Sequence, residues 1–335
     1  MNNGNLSRRG FGAAFAAGLA APSAITATAR AQSAAAWPDR PVRLVVPFGA
    51  GGAIDTLSRT VAQRFADFAN GQTLVVENRS GAGGAVAGAY VAREKPDGYT
   101  LMMADVGANA IGKLLNPGLA YDPVTSFTPV IHLVNLPGVV IAHPSVTVKD
   151  LPDLIAQAKA RPGAFTYSSA GTGNGSHLFM ALLLRQAGVE MVHVPYRSGA
   201  EMVTALVRGD AQFGFPTVSS ALQMIRGGQA RAIAVSTAEE TPALPGIPPV
   251  ARTLPGFDLA VWHGIMAPAG LDPALAERIN TVFNGIAALP EVKEAVFRAQ
   301  AGRMVGGTPK DFADHVTREV ARWDPLIREG GFRVE

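Results

Sequence analysis

The chain reads as an α/β protein of two lobes, each a mostly parallel sheet flanked by helices, with a cleft between them. Three observations predict this. A short apolar strand runs three times into a glycine-rich turn and straight on into a helix. The turns are Gly49-Ala50-Gly51-Gly52 after Arg43–Phe48, Gly81-Ala82-Gly83-Gly84 after Thr73–Glu77, and Gly171-Thr172-Gly173-Asn174-Gly175 after Phe165–Ser169. The strands between helices are short and valine-rich, as parallel strands buried on both faces are. The length of 335 residues suits two domains of ordinary size.

Residues 1–31 read as an export signal. Arg8-Arg9-Gly10-Phe11 precedes a weakly apolar, alanine-rich stretch, and Ala29-Arg30-Ala31 is a small-x-small cleavage site. The paired arginines and the low hydrophobicity resemble a twin-arginine signal, with removal near Ala31. Arg8, Arg9 and Arg30 account for the whole net charge of +3, leaving 26 basic against 26 acidic residues. That balance gives nucleic-acid binding no electrostatic support. The chain has no cysteine, which excludes disulfides, thiolate metal sites and a cysteine nucleophile.

The fold is expected to start at Trp37-Pro38. Strands are predicted near 42–47, 73–77 and 99–103. The helix after the first turn puts Ile54, Leu57, Val61, Phe65 and Phe68 on one stripe. Pro96-Asp97-Gly98 is a turn signal before the third strand. Residues 116–127, rich in proline and glycine, read as a connection. A second series follows, with strands near 139–142, 165–169, 192–194, 211–215 and 231–236. Its helices begin near Asp150 and Ser176, and the latter is apolar almost all round. The stretch 239–255 holds five prolines and reads as a return path. Lobe 1 is therefore expected to be 37–136 with 237–335, and lobe 2 137–236. The tail is helical, with Asp324-Pro325 expected to end or bend the last helix.

Helix N-termini carry unpaired N–H groups and partial positive charge, and glycine lets a ligand approach that backbone. Turns of this kind around one cleft make a receptor for a small anion. Hydroxyls of Ser168, Ser169, Thr172 and Ser176 lie near the third turn, where they would donate to a carboxylate or simply stabilise the turn. Asp55, in the first helical turn, would cap that helix or meet a ligand amine. Arg197 would clamp a carboxylate or sit in solvent, and His177 opens an apolar helix as a buried imidazole. None of the six histidines forms H-E-x-x-H or another metal-ligand spacing. There is no G-x-S-x-G, no phosphate loop and no complete G-x-G-x-x-G, the sixth positions being Ile54 and Val86. An exported α/β enzyme stays open as an alternative, because triads are spatial.

Pro47-Phe48-Gly49-Ala50-Gly51-Gly52-Ala53-Ile54-Asp55 resembles the P-F-x-x-G-G-x-x-D signature of the Bug (TctC-like) family. Val76 to Gly84, Pro96 to Leu101, Ser169 to Gly173 with His177-Leu178, Val194 to Arg197, Trp262 to Ile265 and Ala267 to Gly270 match its further motifs in order. The family comprises the extracytoplasmic substrate-binding proteins of tripartite tricarboxylate transporters. The resemblance implies a two-lobed type II periplasmic binding protein that is not an enzyme and needs no cofactor or metal. It implies a monomer that closes on a small carboxylate and docks on membrane permease subunits; a ligand-presenting sensor is the alternative. The implied ligand-binding residues are Phe48, Gly49, Ala50, Gly51, Gly52, Asp55, Asp105, Val106, Ser168, Ser169, Ala170, Gly171, Thr172, Gly173, Ser176, His177, Tyr196, Arg197 and Pro216. Three positions depart from the family pattern. Pro216 stands where an aspartate is common, Ser198 interrupts P-Y-[KR]-G, and Asp105 replaces a small polar residue. An acid at 105 facing the cleft would repel a second carboxylate there.

Overall fold

The computed structural model describes Met1 and residues 37–332; apart from Met1, the export signal lies outside them. The first sheet has a parallel core of β1 (Val42–Val46), β2 (Leu74–Asn78) and β3 (Thr100–Asp105), with β1 in the middle. Three antiparallel strands extend it. β10 (Ala260–Pro268) pairs with β3, β4 (Phe127–Pro137) with β10, and β11 (Arg303–Met304) closes the edge beside β4. The second sheet runs β7 (Val192–Pro195), β6 (Thr166–Ser169), β8 (Phe213–Gly214), β5 (Val139–Ala142), β9 (Arg231–Val235). There β6 is parallel to both neighbours, while β5 is antiparallel to both of its own.

The parallel strands fall where the sequence puts them. β4 and β10 have no counterpart in the sequence reading, and both are interrupted by signals that normally argue against a strand. Pro129 and Pro137 lie in β4, and Gly264 sits mid-strand in β10. Gly264 is needed for packing: a Cβ there would lie 2.3 Å from the Phe312 ring.

Helices follow the amphipathic stripes. In α1 (Ala53–Phe65) Ile54, Leu57, Val61 and Phe65 are all buried. Each such side chain contributes about 1.5–3 kcal/mol of burial. The chain continues through α2 (Ala85–Val91), a π-turn at Gly107–Ile111 leading into α3 (Gly112–Leu115), and α4 (Leu151–Ala160). Next come α5 (Gly175–Ala187), α6 (Gly199–Arg208) and α7 (Val218–Arg226). The tail holds α8 (Pro273–Ala288), α9 (Pro290–Gln300) and α10 (Pro309–Gly330). The helix does not end at Pro325 but runs on to Gly330. Leu326 and Ile327, just past the proline, are buried, and that packing offsets the backbone bond proline removes.

Two crossings join the sheets. One is Gly138, a single residue between β4 and β5; the other follows β9 and leads to β10. Ser236 ties them together. Its Oγ accepts from the Gly138 N–H at 2.7 Å and donates to the Leu259 carbonyl at 2.7 Å. Its N–H donates to Gly138 O, and its carbonyl accepts from Leu259. Helix α10 adds a third link, stacking Trp323 on Phe179 of α5 at 6.2 Å between ring centroids. Pro137 still belongs to β4, so the first lobe boundary is proposed at Gly138, one residue past the expected 136/137; the expected 236/237 follows the end of β9. Within 237–259, Leu244 and Ile247 pack with Val139, Val218 and Val235 of the second sheet's core.

Candidate functional site

The carboxyl ends of β1, β3 and β6 run into turns around a cleft of about 510 Å³, a volume typical of small-molecule sites. From the first lobe it is lined by Phe48, the second glycine turn at Ala82, Gly83 and Ala85, and the residues after β3 at Asp105, Val106, Gly107 and Ala108. An apolar wall of Leu115, Leu119 and Tyr121 continues that side, with Gly112 and Asn116. From the second lobe come Ala170, Thr172, Gly173, Asn174 and Gly175, with Arg197, Ser198 and Gly199. A smaller cavity of about 140 Å³ shares Ala170, Asn174 and Gly199 and adds Ser176, Phe179, Phe215 and Pro216.

The third turn is wired from beneath by its own side chains. Ser168 Oγ donates to the Phe213 carbonyl. Ser169 Oγ lies 2.6 Å from His193 Nε2 and accepts from the Gly171 N–H. Ser176 Oγ accepts from the Ala170 N–H at 2.9 Å and donates to Asn174 Oδ1. Asn174 caps α5 by accepting from the Ser176 N–H. His177 Nδ1 accepts from the Gly173 N–H at 3.2 Å, so it bears no proton on that nitrogen. Burial, with His193 stacked at 4.2 Å, pushes the His177 imidazole down to about 4. Ser168, Ser169 and His177 therefore hold the turn's shape and do not line the main cleft. No described residue accepts from the N–H of Thr172 or Gly175. Both residues border the cleft, and α5 has no acid in its first turn.

The second turn is built differently. Gly81, Ala82, Gly83 and Gly84 all have positive φ, and the turn closes on itself through the Gly84 N–H donating to the Gly81 carbonyl at 3.0 Å. A Cβ on Gly84 would lie 3.1 Å from Ala108 and 3.2 Å from Pro47, so this turn packs tightly onto the residues after β3.

The first turn satisfies itself. Asp55 is buried, and Oδ2 accepts from the Gly51 N–H at 2.8 Å and from Arg59 Nε at 2.9 Å. Its Oδ1 accepts from Asn78 Nδ2 at 2.9 Å. The Arg59 bond, then the Gly51 and Asn78 bonds, outweigh burial and hold this carboxyl down at about 2. Gly49 to Gly52 are exposed beside Phe48, and only Phe48 of this segment borders the cleft. Tyr196 and Gly171 also stand behind the lining, joined through the Tyr196 N–H to the Ser169 carbonyl at 2.9 Å and by Gly171 packing on the Tyr196 carbonyl.

Asp105 does face the cleft. It is 8% exposed, and burial pushes its carboxyl up to about 6 against one backbone bond from Ala108. Arg197 lines the cleft from the opposite lobe and is exposed, with no ion pair among the described residues. Sequence reasoning named Asp105, Val106, Ala170, Thr172, Gly173 and Arg197, all of which line the cleft. The Leu115–Tyr121 wall went unseen, because it lies in a stretch that reads as a connection and has no periodicity.

A family model described as tripartite tricarboxylate transporter family receptor matches residues 57–332. The chain belongs to this family. Among solved structures, the receptor is similar to Rpa4515 of R. palustris with adipate, at 33% identity and a TM-score of 0.77, over 88% of this chain and 98% of that one. It is similar to MatC (Rpa3494) of Rhodopseudomonas palustris with bound malate, at 29% identity and TM-score 0.73, covering 87% and 100%. The periplasmic binding protein BugD gives 28% identity and TM-score 0.73 over 89% and 100%. The family and fold implied by the sequence motifs are thus borne out, and the receptor is a periplasmic solute-binding protein of the Bug type.

Proposed function

We propose that the receptor captures a small carboxylate in this cleft and delivers it to the membrane permease subunits of a tripartite tricarboxylate-type transporter. One observation carries the reading. The N-terminus of α5 opens onto the cleft with two unclaimed N–H groups, no acid of its own and Arg197 nearby. A carboxylate there meets positive charge from both the helix and the guanidinium. The adipate- and malate-bound relatives support that ligand class. Phe48, Leu115, Leu119 and Tyr121 would cover the ligand's carbon skeleton, as apolar walls do in small-molecule sites. The receptor would act as a monomer, without catalysis, after export and removal of residues 1–31.

The test is a thermal-shift screen of the chain from Gln32 onward, refolded to remove carried-over solute, against mono-, di- and tricarboxylates. A ligand that binds only the folded state raises the midpoint by mass action. A shift with one carboxylate class that disappears in Gly173→Val supports the reading. Shifts that survive this variant would move the site elsewhere, and turnover of the ligand would revive the enzyme alternative.

A further inference from the structure

The cleft contains one carboxylate whose hydrogen bonding is incomplete. Asp105 Oδ1 accepts from the Ala108 N–H at 2.8 Å, which holds the turn after β3. No described group donates to Oδ2. Two side-chain donors close by are engaged elsewhere: the Tyr121 hydroxyl bonds the Ala108 carbonyl at 2.9 Å, and Asn109 Nδ2 points at Met102 Sδ. Arg197 is the cationic side chain among the lining residues, and it makes no ion pair with Asp105. Oδ2 opens onto the cleft, so an occupant that covers it without a donor would leave a buried acceptor unpaired at a cost of about 1–3 kcal/mol, and the site favours an occupant that brings its own donor. The opposite wall, at the α5 N-terminus, favours a negative group.

We infer that Asp105 is a specificity-determining residue: its Oδ2 accepts from a hydroxyl or ammonium group that the ligand carries in addition to its carboxylate. The receptor therefore selects hydroxy- or amino-carboxylates over their unsubstituted parents. This rests on the carboxylate reading of the cleft given above. A role confined to capping the Ala108 turn is the competing account, and it needs only Oδ1.

The experiment uses matched sets of probes: butanoate, 3-hydroxybutanoate and 4-aminobutanoate; succinate, malate and aspartate; benzoate, 3-hydroxybenzoate and 3-(aminomethyl)benzoate. Affinities are measured by calorimetry for the wild-type chain and for Asp105→Asn, which keeps an oxygen for Ala108. Within the set that binds, a donor-bearing member is expected to bind about tenfold or more tighter than its parent. Whether the hydroxyl or the amino member leads identifies the donor. In Asp105→Asn that advantage should shrink to within about threefold, while the thermal midpoint of the unliganded protein does not fall; Asp105→Ser serves as a second variant should Asn perturb folding. An advantage that persists in both variants, or is absent from the wild type, overturns the inference and leaves the carboxylate site standing. Failure of every probe to bind overturns the carboxylate reading itself, and the inference with it.

Discussion

The first and third glycine turns look alike in sequence and do opposite things. Each follows a short buried strand, and each opens a 13-residue helix. Asp55 lies in the first turn of α1, where its carboxylate takes the Gly51 N–H and sits against the positive end of the helix. That end already has its anion. Helix α5 has no acid in its first turn. A neutral cap, Asn174, and a neutral imidazole, His177, take up the Ser176 and Gly173 N–H groups. The helix charge is left for whatever enters the cleft. A glycine turn is therefore not an anion site until the chain's own carboxylates have been accounted for. Helix α6 makes the same point from within lobe 2, since Glu201 accepts from the Arg197 N–H and its own N–H is capped by Ser198.

The sharpest way to break this contrast is to place a side chain on a positive-φ glycine of each turn. Gly173 has φ +76 and borders the cleft. Gly173→Val should combine backbone strain with obstruction and lower carboxylate affinity by about 100-fold or more, since each tenfold is about 1.4 kcal/mol. Gly51 has φ +82, with open space where a Cβ would go. Gly51→Ala should cost roughly 1 kcal/mol of folding stability and leave affinity nearly unchanged. Denaturant melts and calorimetry on both variants decide; equal losses of affinity would erase the distinction. Removing the built-in anion comes next. Asp55→Ala should cost about 1–3 kcal/mol of stability through the donors it strands. The Asp55 carboxyl sits at about 2 against an ordinary 3.8, so its contribution is present above the unfolded value and is lost as pH falls through about 2. The acid limb of unfolding should flatten in the variant.

Much of this arrangement was legible in the sequence, for reasons that differ by region. Ile54, Leu57, Val61 and Phe65 announce α1 because an amphipathic stripe is a local property of the chain. Asp105 stands out as a departure from the family pattern after the third strand, and Arg197 because it follows a strand and opens a helix. β4 and β10 stayed hidden because Pro129, Pro137 and Gly264 are acceptable only once their tertiary neighbours are known, Phe312 above all. The serines of the third turn were read as donors to a ligand or as supports of the turn. Ser168, Ser169 and Ser176 are committed to Phe213, Gly171 and Asn174. Sequence spacing gives the reach of a hydroxyl but not its partner.

The support beneath the third turn gives two smaller effects. Ser176→Ala strands the Ala170 N–H and loosens Asn174. Affinity should fall by roughly tenfold, with a stability loss near ~1 kcal/mol. A stability loss without an affinity loss would separate the turn from binding. The last effect is in pH. His177 is held neutral, at about 4 in the folded chain against 6.5. Below about 6.5 the unfolded chain takes up a proton that the folded chain refuses. The stability from the neutral imidazole is therefore complete above 6.5 and is lost progressively as pH falls toward about 4. Proton uptake by the folded state then also removes the acceptor for the Gly173 N–H. His132 and His263, also pushed down to about 4 by burial, act in the same direction on stability, but neither lines the cleft. Asp105, raised to about 6, acts oppositely, because its folded form holds a proton more tightly than the unfolded 3.8. Five lowered imidazoles, with His315 at about 3 and His193 also pushed down by burial, outnumber one raised carboxyl, so the thermal midpoint should rise from pH 4 to 7. In His177→Gln the rise should be smaller, and the third turn should keep its affinity for ligand further into the acid range. A rise identical to that of the wild type would mean that the Gly173 contact contributes nothing to the shape of the turn.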